Sequence, residues 1–399
     1  MGMQLFRGKM ILIAGNKKIQ NLSFEYFDNE VINFLSDLSE AILKNKKAKN
    51  YADLISFGFW IRKKNIFQIK STYNKESRYG HGLAFHITPS NVALNFAYSF
   101  VVSLLAGNSN IIKVSKNNFQ QNILFFSILK KLINTKKYSN IKKNNLFVEF
   151  KHDDEIIAFF SKKADCRIVW GSDETINHIK KFDTKPLCKD LFFPDRYSIS
   201  LLDIKKIEKL RKDDFINLVK KMFFDIFLYN QNACTSPHLI IWIGKKSKNL
   251  QRKFWSKIDE LIKKNDIFEM TEKKMYDKYF FSCHLSAKRS EIKKNFKINS
   301  INFSELKNIP KDIDKFRIGN GYIFEIYFNN IDKVNLGNNK KIQTLTYFGI
   351  DKQNIKNLIN LGVLLNVDRV VPVGRAFEFS EIWDGYDCIR SLSKITYIR

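Results

Sequence analysis

Cys234 sits in the stretch Tyr229 to Pro237, YNQNACTSP, with small and polar residues on both sides. A sulfur that solvent can reach attacks a carbonyl carbon once ionised, whereas the same sulfur walled into a core does not. A lone cysteine is more often a small buried hydrophobe than a nucleophile, so its surroundings decide. Upstream, Phe215, Val219, Met222, Phe223, Ile226 and Phe227 recur at helical spacing, while Lys220, Lys221 and Asp225 lie off that stripe. Downstream runs the apolar HLIIWI. The thiol therefore stands where an amphipathic helix hands over to a strand, a junction that can open onto a cleft.

Other chemistries are poorly provided for. Cys166, Cys188, Cys234, Cys283 and Cys388 form no CxxC pair and are odd in number, which points to a reducing, cytoplasmic setting. The six histidines include no HExxH and no Cys/His ladder, so no metal site is expected. Neither GxGxxG nor a Walker A sequence occurs. Gly244-Lys245-Lys246-Ser247 lacks the upstream glycine, and Gly319-Asn320-Gly321 does not continue into a phosphate loop.

The chain of 399 residues is long enough for two or three lobes, and 44% hydrophobic residues with 36 Phe give ample core. The formal net charge of +28 raises the question of nucleic acid. The lysines are dispersed among Asn, Ile and Phe, however, and no arginine-rich run stands out. A solvated basic surface suited to acidic partners or phosphorylated cofactors is expected, with no nucleic-acid partner. Met10 to Ala14 is too short for a signal h-region, and Val92 to Ala106, interrupted by Asn95 and serines, falls short of a membrane span. No membrane insertion is expected.

Outward from the cysteine, the elements that must position it read as strand and helix in alternation. HGLAFHI is a strand with its turn at TPSN, and Val92 to Ala106 a helix stopped at Gly107-Asn108. NIIKVS, NLFVEF, CRIVW and RYSISLLDI are further strands, with a helix over NFQQNILFFSILKKLI after the first. HLIIWIG opens a second α/β lobe reaching about Val371. This order predicts βαβ units and a parallel sheet. Residues 1–79 suggest a few strands and a helix around Val31 to Leu43, with no function assignable.

Five stretches in register carry a resemblance: HITPSN (86–91), LLAGNSNIIKVSKN (104–117), WGSDET (170–175), NQNACTSP (230–237) and DRVVPVGRAFEFSEIWDGYD (368–387). Together they resemble the LuxC-type acyl-thioester reductases, the fatty-acid reductases of bacterial luminescence and their relatives, within the aldehyde dehydrogenase superfamily. That superfamily binds nicotinamide cofactors without a glycine-rich fingerprint. The resemblance implies an α/β, aldehyde-dehydrogenase-like fold. A Rossmann-type cofactor domain would span residues 80–205, a cysteine domain 206–370, and a tail with an oligomerisation role 371–399, after the N-terminal segment 1–79.

Carried over position by position, the resemblance makes Cys234 the nucleophile that accepts an acyl group as a thioester. It makes Asn91 the amide facing the developing oxyanion, although a helix N-cap explains Asn91 as well. Thr88 falls in the same turn. Lys113 matches the lysine that holds the adenosine ribose. Where NAD-preferring relatives place a glutamate three residues on, this chain has Lys116, with Ser115 beside it, and that pair would hold a 2′-phosphate. NADPH is therefore expected in preference to NADH. Gly171 and Ser172 resemble the pair at a helix N-terminus that receives the pyrophosphate, and Ser172 as a plain N-cap is the bland alternative. Glu325 is a loose match to the glutamate that holds the nicotinamide ribose, explained equally well as an exposed strand residue.

Aldehyde-oxidising relatives carry a glutamate before the cysteine that activates water. The corresponding LFFPDRYSIS has none, so the acyl-cysteine would wait for hydride rather than hydrolyse. Asp195 and Asp203 stand nearby as candidates for a displaced base. The expected activity is NADPH-dependent reduction of an acyl-CoA or acyl-carrier thioester to an aldehyde. A homo-oligomer and an acyl-protein synthetase partner are implied by the relatives. Aldehyde oxidation on the same scaffold, and a basic nucleic-acid or interaction protein, are the rivals.

Overall fold

The computed structural model describes residues 8–21, 24–73, 77–116, 119–265, 268, 270–336 and 339–397. Asn117 and Asn118, which end one quoted motif and begin one expected helix, lie outside them. The chain forms two compact units, Met1–Pro194 with Phe379–Arg399, and Asp195–Glu378.

The first unit opens with β1 (Ile11–Gly15), α1 (Asn29–Lys44), α2 (Ala52–Trp60), α3 (Lys63–Ser71) and β2 (Arg78–Gly80). It continues with β3 (Leu83–Ile87), α4 (Asn95–Leu105), β4 (Ser109–Lys113), α5 (Gln120–Ile133), α6 (Ser139–Asn144) and β5 (Asn145–Glu149). Next come α7 (Asp154–Lys163), β6 (Cys166–Trp170), α8 (Asp173–Ile179) and β7 (Lys189–Phe193). Helix α1 forms because Val31, Ile32, Phe34, Leu35, Leu38 and Ile42 share one buried stripe, and Asp28 caps its first turn by accepting from Glu30 N at 2.7 Å.

The sheet runs β1-β5-β4-β3-β6-β7, parallel throughout except for β1 against β5. β3 and β6 are buried along their whole length, as strands covered by helices on both faces must be. The chain leaves β3 towards β4 and β5, then crosses back to β6, so the order reverses at β3. In open α/β sheets that reversal is where ligands bind, beyond the carboxyl ends of the strands.

A chain of polar side chains crosses the interior of this sheet. Trp170 Nε1 on β6 donates to Ser99 Oγ on α4 at 3.2 Å, and Ser99 Oγ lies 2.8 Å from His86 Nδ1 on β3. His86 Nε2 pairs with Asn110 Oδ1 on β4 at 3.0 Å, and Asn110 Nδ2 donates to Asn145 Oδ1 on β5 at 2.8 Å. Every member is buried, and each bond links neighbouring elements, the line stepping obliquely across the sheet because His86 is opposite Ile112 and Ile168 rather than Asn110 and Trp170. Helix α4 starts at Asn95 rather than Val92 because Leu94 takes φ +60° in the left-handed region. Its N–H bonds Asn122 Oδ1 of α5 at 3.0 Å.

The second unit contains β8 (Tyr197–Asp203), α9 (Ile204–Glu208), α10 (Lys212–Phe227), β9 (Pro237–Ile243), α11 (Lys248–Lys264) and α12 (Glu272–Lys288). After them come β10 (Ile292–Ile298), β11 (Ile301–Leu306), β12 (Tyr322–Phe328), β13 (Ile342–Phe348), α13 (Lys352–Asn360) and β14 (Arg369–Pro372). Its sheet, β10-β11-β12-β9-β8-β13-β14, is parallel apart from the β10–β11 hairpin. α10 and α11 cover one face around Trp242, Phe254 and Trp255, while α12 and α13 contribute Leu285, Ile355 and Leu358 to the core of the other.

Glu325 on β12 is not an exposed strand residue. It is fully buried, and one carboxylate oxygen accepts from Trp242 Nε1 at 2.9 Å and Trp255 Nε1 at 2.7 Å, the other from Gln251. Burial pushes its carboxyl up to about 7 against the pull of these donors.

The chain returns to the first unit with β15 (Ile382–Trp383), β16 (Tyr386–Asp387), α14 (Cys388–Ser391) and β17 (Ser393–Ile395). β17 pairs antiparallel with β2, and Asn108 Nδ2 donates to Leu392 O at 2.8 Å. No helix of the described residues is long and apolar enough to cross a membrane.

Burial holds His86 neutral, lowering its pKa from 6.5 to about 4. The unfolded chain takes up a proton in that window and the folded chain does not, so His86 removes stability as pH falls from 6.5 towards 4. The stability difference between wild type and His86→Gln should therefore shrink on acidification through this range, by about 1.4 kcal/mol per pH unit. Urea unfolding at a series of pH values measures it.

Candidate active site

Helix α10 ends at Phe227, and the chain then makes a strained turn into β9. Tyr229, Asn230 and Gln231 have φ of 57°, 56° and 62°, three consecutive left-handed residues of which none is glycine. Such residues cost about 1–3 kcal/mol each and persist only where surrounding contacts hold them. Gln231 supplies those contacts from a fully buried side chain. Its Nε2 donates to Pro237 O at 3.0 Å and Tyr322 O at 3.2 Å, and its Oε1 accepts from Gly321 N at 2.9 Å. Asn320 N donates to Asn230 O at 3.0 Å, and Gly319 suits glycine because its φ of +64° is left-handed and a Cβ there would crowd Asn232 Oδ1 at 2.8 Å.

Cys234 lies three residues beyond, partly exposed and in no disulfide, and its carbonyl accepts from Ser198 Oγ at 2.7 Å. Thr235 Oγ1 and Ser236 Oγ are buried with no hydrogen-bond partner among the described residues. Because β8 and β9 are parallel with Ser198 opposite Pro237, the cysteine turn stands at the amino-terminal edge of the second sheet. The other thiols are less suited to attack. Burial pushes Cys166 well above its ordinary pKa, Cys188 up to about 11, and Cys388 higher still. Cys283 is exposed on α12.

Both acidic residues near LFFPDRYSIS have partners of their own. Asp195 is held by Arg317 Nη2 at 2.6 Å. Asp203 caps α9 by accepting from Lys206 N at 2.8 Å, and it stands five residues past Ser198, about 17 Å up the strand at the opposite sheet edge. The buried Asp225 of α10 is likewise structural, accepting from Gly374 N at 2.6 Å and Ala376 N at 3.1 Å. Arg369 donates to the carbonyls of Arg375, Ala376 and Glu378. Together they fold the VPVGRAFE segment into a closed turn, which accounts for these parts of the tail motif. Neither Gln231 nor Asp225 was singled out from the sequence. Gln231 lay inside a recognised stretch, but nothing in the letters marks it as an anchor.

In the first unit, Thr88, Asn91, Lys113, Ser115, Lys116, Gly171 and Ser172 all lie at or just beyond the carboxyl ends of β3, β4 and β6, at the point where the strand order reverses. Ile87 is opposite both Lys113 and Val169, which puts the three loops at one level. Thr88 Oγ1 donates to Lys113 O at 2.8 Å, and Ser115 Oγ to Thr88 O at 2.7 Å. Each hydroxyl proton thus braces β3 against β4 and is not available to a phosphate oxygen. Lys113 is half-buried, its Nζ 5.1 Å from the centre of the Phe150 ring, and burial lowers its pKa. Lys116 is exposed. Neither amine has a carboxylate within ion-pair range among the described residues, although Asp173 and Glu174 bring acidic charge to the same edge at the start of α8.

A Cβ at Gly171 would crowd the Thr175 side chain, with Cγ2 at 2.9 Å, and push it aside. Ser172 caps α8, accepting from Thr175 N at 3.2 Å, and Asp173 and Glu174 fill the first turn of that seven-residue helix. Their negative charge disfavours an anion at that helix end. Asn91 is exposed and does not cap α4, whose N-cap is Leu94. A surface groove lined by Glu155, Phe159, Lys162, Lys181 and Phe182 holds none of these residues.

The fold is that of the aldehyde dehydrogenases. Aldehyde dehydrogenase 21 from Physcomitrella patens, in complex with the reaction product succinate, superposes with a TM-score of 0.59 at 11% identity, over 93% of this chain and 84% of its own. A NAD-dependent benzaldehyde dehydrogenase from Corynebacterium glutamicum gives 0.56 at 13%, over 92% and 82%. Lactaldehyde dehydrogenase from Escherichia coli gives 0.59 at 10%, over 92% and 84%. A search of curated proteins by sequence finds no match. The profile of the acyl-CoA reductase (LuxC) family matches residues 64–291, more than half of the 399. The chain belongs to the LuxC acyl-CoA reductase family. Family and fold together support nicotinamide-linked redox chemistry at the aldehyde level.

At pH 7.5 a limiting amount of iodoacetamide should modify Cys234 and Cys283 and leave Cys166, Cys188 and Cys388 unmodified until the chain is unfolded. Peptide mass spectrometry reads the order.

Proposed function

We propose that the protein reduces an acyl thioester, with acyl-CoA as donor, to the corresponding aldehyde through an acyl group carried on Cys234. The Cys234 thiolate attacks the thioester carbonyl carbon, the donor sulfur leaves as its thiolate, and the acyl group stays on Sγ. The Asn91 amide and the Cys234 backbone N–H are assigned to the oxyanion by the family resemblance. When bound, NADPH supplies the hydride that takes the acyl carbon to the aldehyde level. Lys113 and Lys116 would hold its adenosine side: two amines without an acidic partner suit a ribose phosphate, and a glutamate at 116 would repel one. Thr88 and Ser115 keep those amines in place through the β3–β4 brace, and Gly171 lets the chain turn closely after β6. A homo-oligomer and an acyl-protein synthetase as alternative donor follow from the same resemblance.

The observation that carries the reductive direction is the occupation of both nearby carboxylates. With Asp195 paired to Arg317 and Asp203 at the far sheet edge, neither is placed to activate water against the acyl-cysteine. The thioester is thereby spared until it is reduced.

Incubating the protein with a series of acyl-CoAs and NADPH should yield aldehyde, free CoA and NADP⁺ in equal amounts. Cys234→Ser should abolish all three. Aldehyde formation by Cys234→Ser would remove the acyl-cysteine from the account. Acid formed from aldehyde and NADP⁺, with no thioester turnover, would make the enzyme an aldehyde dehydrogenase instead.

The two lysines are tested separately. Lys116→Glu should raise KM for NADPH about tenfold or more, the worth of a lost charge-assisted bond, and leave KM for NADH nearly unchanged. Equal effects on both cofactors would place the 2′-phosphate elsewhere.

A further inference from the structure

The sequence shows no metal motif, yet the fold brings together three metal-ligating side chains that the proposed reaction does not use. His152 lies between β5 and α7, Asp154 is the first residue of α7, and His178 is in the last turn of α8. His152 Nε2 is 3.1 Å and His178 Nε2 2.9 Å from the same oxygen, Asp154 Oδ1. The two rings stand 5.3 Å apart, and the three donor atoms all fall within 4.8 Å of one another. In a tetrahedral zinc site, bonds of about 2.0–2.2 Å separate the donors by about 3.3–3.6 Å, so a small rotation of two exposed side chains and the half-exposed His178 would suffice.

Two further features favour a cation here. Asp153, Asp154 and Glu155 are consecutive acids in a chain with 68 basic and 40 acidic residues. Lys9 answers only part of that charge, pairing with Asp153 at 3.3 Å and Glu155 at 3.2 Å. The present arrangement also leaves a demand: both imidazoles turn an Nε2 to one carboxylate oxygen, and each must place its proton there to bond it. A metal ion would replace two hydrogen bonds converging on one atom with three coordinate bonds. Each neutral ring would then carry its proton on Nδ1 and give the Nε2 lone pair to the ion.

We propose that His152, Asp154 and His178 form a surface site for a divalent transition-metal ion, of which Zn²⁺ is the natural occupant. Two imidazoles and one carboxylate suit Zn²⁺, Co²⁺ or Ni²⁺, whereas Mg²⁺ and Ca²⁺ prefer all-oxygen sites. The remaining coordination position is open to water. The ion ties the end of α8 to the start of α7. Its effect is to staple two helices that both pack apolar residues on the same core, so it stabilises the first unit without entering the reaction.

The test uses the full chain, freed of metal by chelator and dialysed against ZnCl₂ or CoCl₂. Wild type should bind one more equivalent of Zn²⁺ than the double variant His152→Ala/His178→Ala, and Zn²⁺ should raise its Tm. With Co²⁺ it should show the visible bands of a nitrogen- and oxygen-ligated ion. His178→Gln, which preserves side-chain size, should lose the same equivalent while its metal-free Tm and far-ultraviolet spectrum match wild type. Equal stoichiometry in wild type and double variant would overturn the proposal. So would a Co²⁺ spectrum dominated by thiolate charge transfer and unchanged in His178→Gln, which would place the ion on cysteine.

Discussion

The in-register parallel pairing of β3 with both β4 and β6 is the constraint from which the first unit follows. A slip of one residue turns every side chain of a strand to the other face, and strands buried on both faces, as β3 and β6 are, resist it less by apolar patterning alone. Here the slip is opposed by a run of buried polar groups, Trp170, Ser99, His86, Asn110 and Asn145, each satisfied by a neighbour on the adjoining element. Displacing one strand would leave several buried donors and acceptors without partners, at about 1–3 kcal/mol each. The apolar faces provide cohesion and this polar line provides alignment. Alignment is what brings the ends of β3, β4 and β6 level, and so gathers seven candidate residues on a single edge.

The second unit solves a different problem at the opposite end of its strands. Its cysteine does not rest at the carboxyl edge of the sheet, where open α/β folds place most ligands, but precedes β9. A turn that holds a side chain clear of both helix and strand is needed there, and it is built from left-handed residues. Gln231 makes that conformation tenable by binding three backbone groups from two separate segments. The strain lies within one short stretch and its remedy comes partly from residues 320–322 before and in β12, so the position of the sulfur depends on a distant segment of the same unit. The buried carboxylate of Asp225 does similar work one helical turn upstream, closing the 374–376 turn against α10.

How far the letters revealed this depends on whether a feature is local. Strands such as LAFHI and CRIVW were legible because a parallel strand buried on both faces is a short apolar run between turn signals. Helix α1 was legible for its stripe, whereas the later start of α4 was not, since nothing in Val92 to Leu94 announces a left-handed leucine. Glu325 misled in both of its readings: a charge in a strand suggests solvent or a ligand, and only the fold reveals two indoles and an amide converging on it. Asp195 and Asp203 looked equivalent in sequence, yet one precedes β8 and the other ends it, and the strand between them separates their roles. His152 and His178 belong to elements separated by a whole βα segment, and no spacing rule joins them. The resemblance supplied the site residues, and their surroundings had to come from the structure.

The return of residues 379–399 to the first unit bears on how the molecule is made. Strand β17 completes a pair with β2, and Leu392 supplies the carbonyl that takes the Asn108 amide. During synthesis the sheet carrying Lys113 emerges from the ribosome long before these partners exist. The intervening unit can fold on its own schedule, while the earlier one waits with an unpaired edge at Arg78–Gly80. That interval exposes a nascent strand to chance pairing, and a shortened tail would make the exposure permanent.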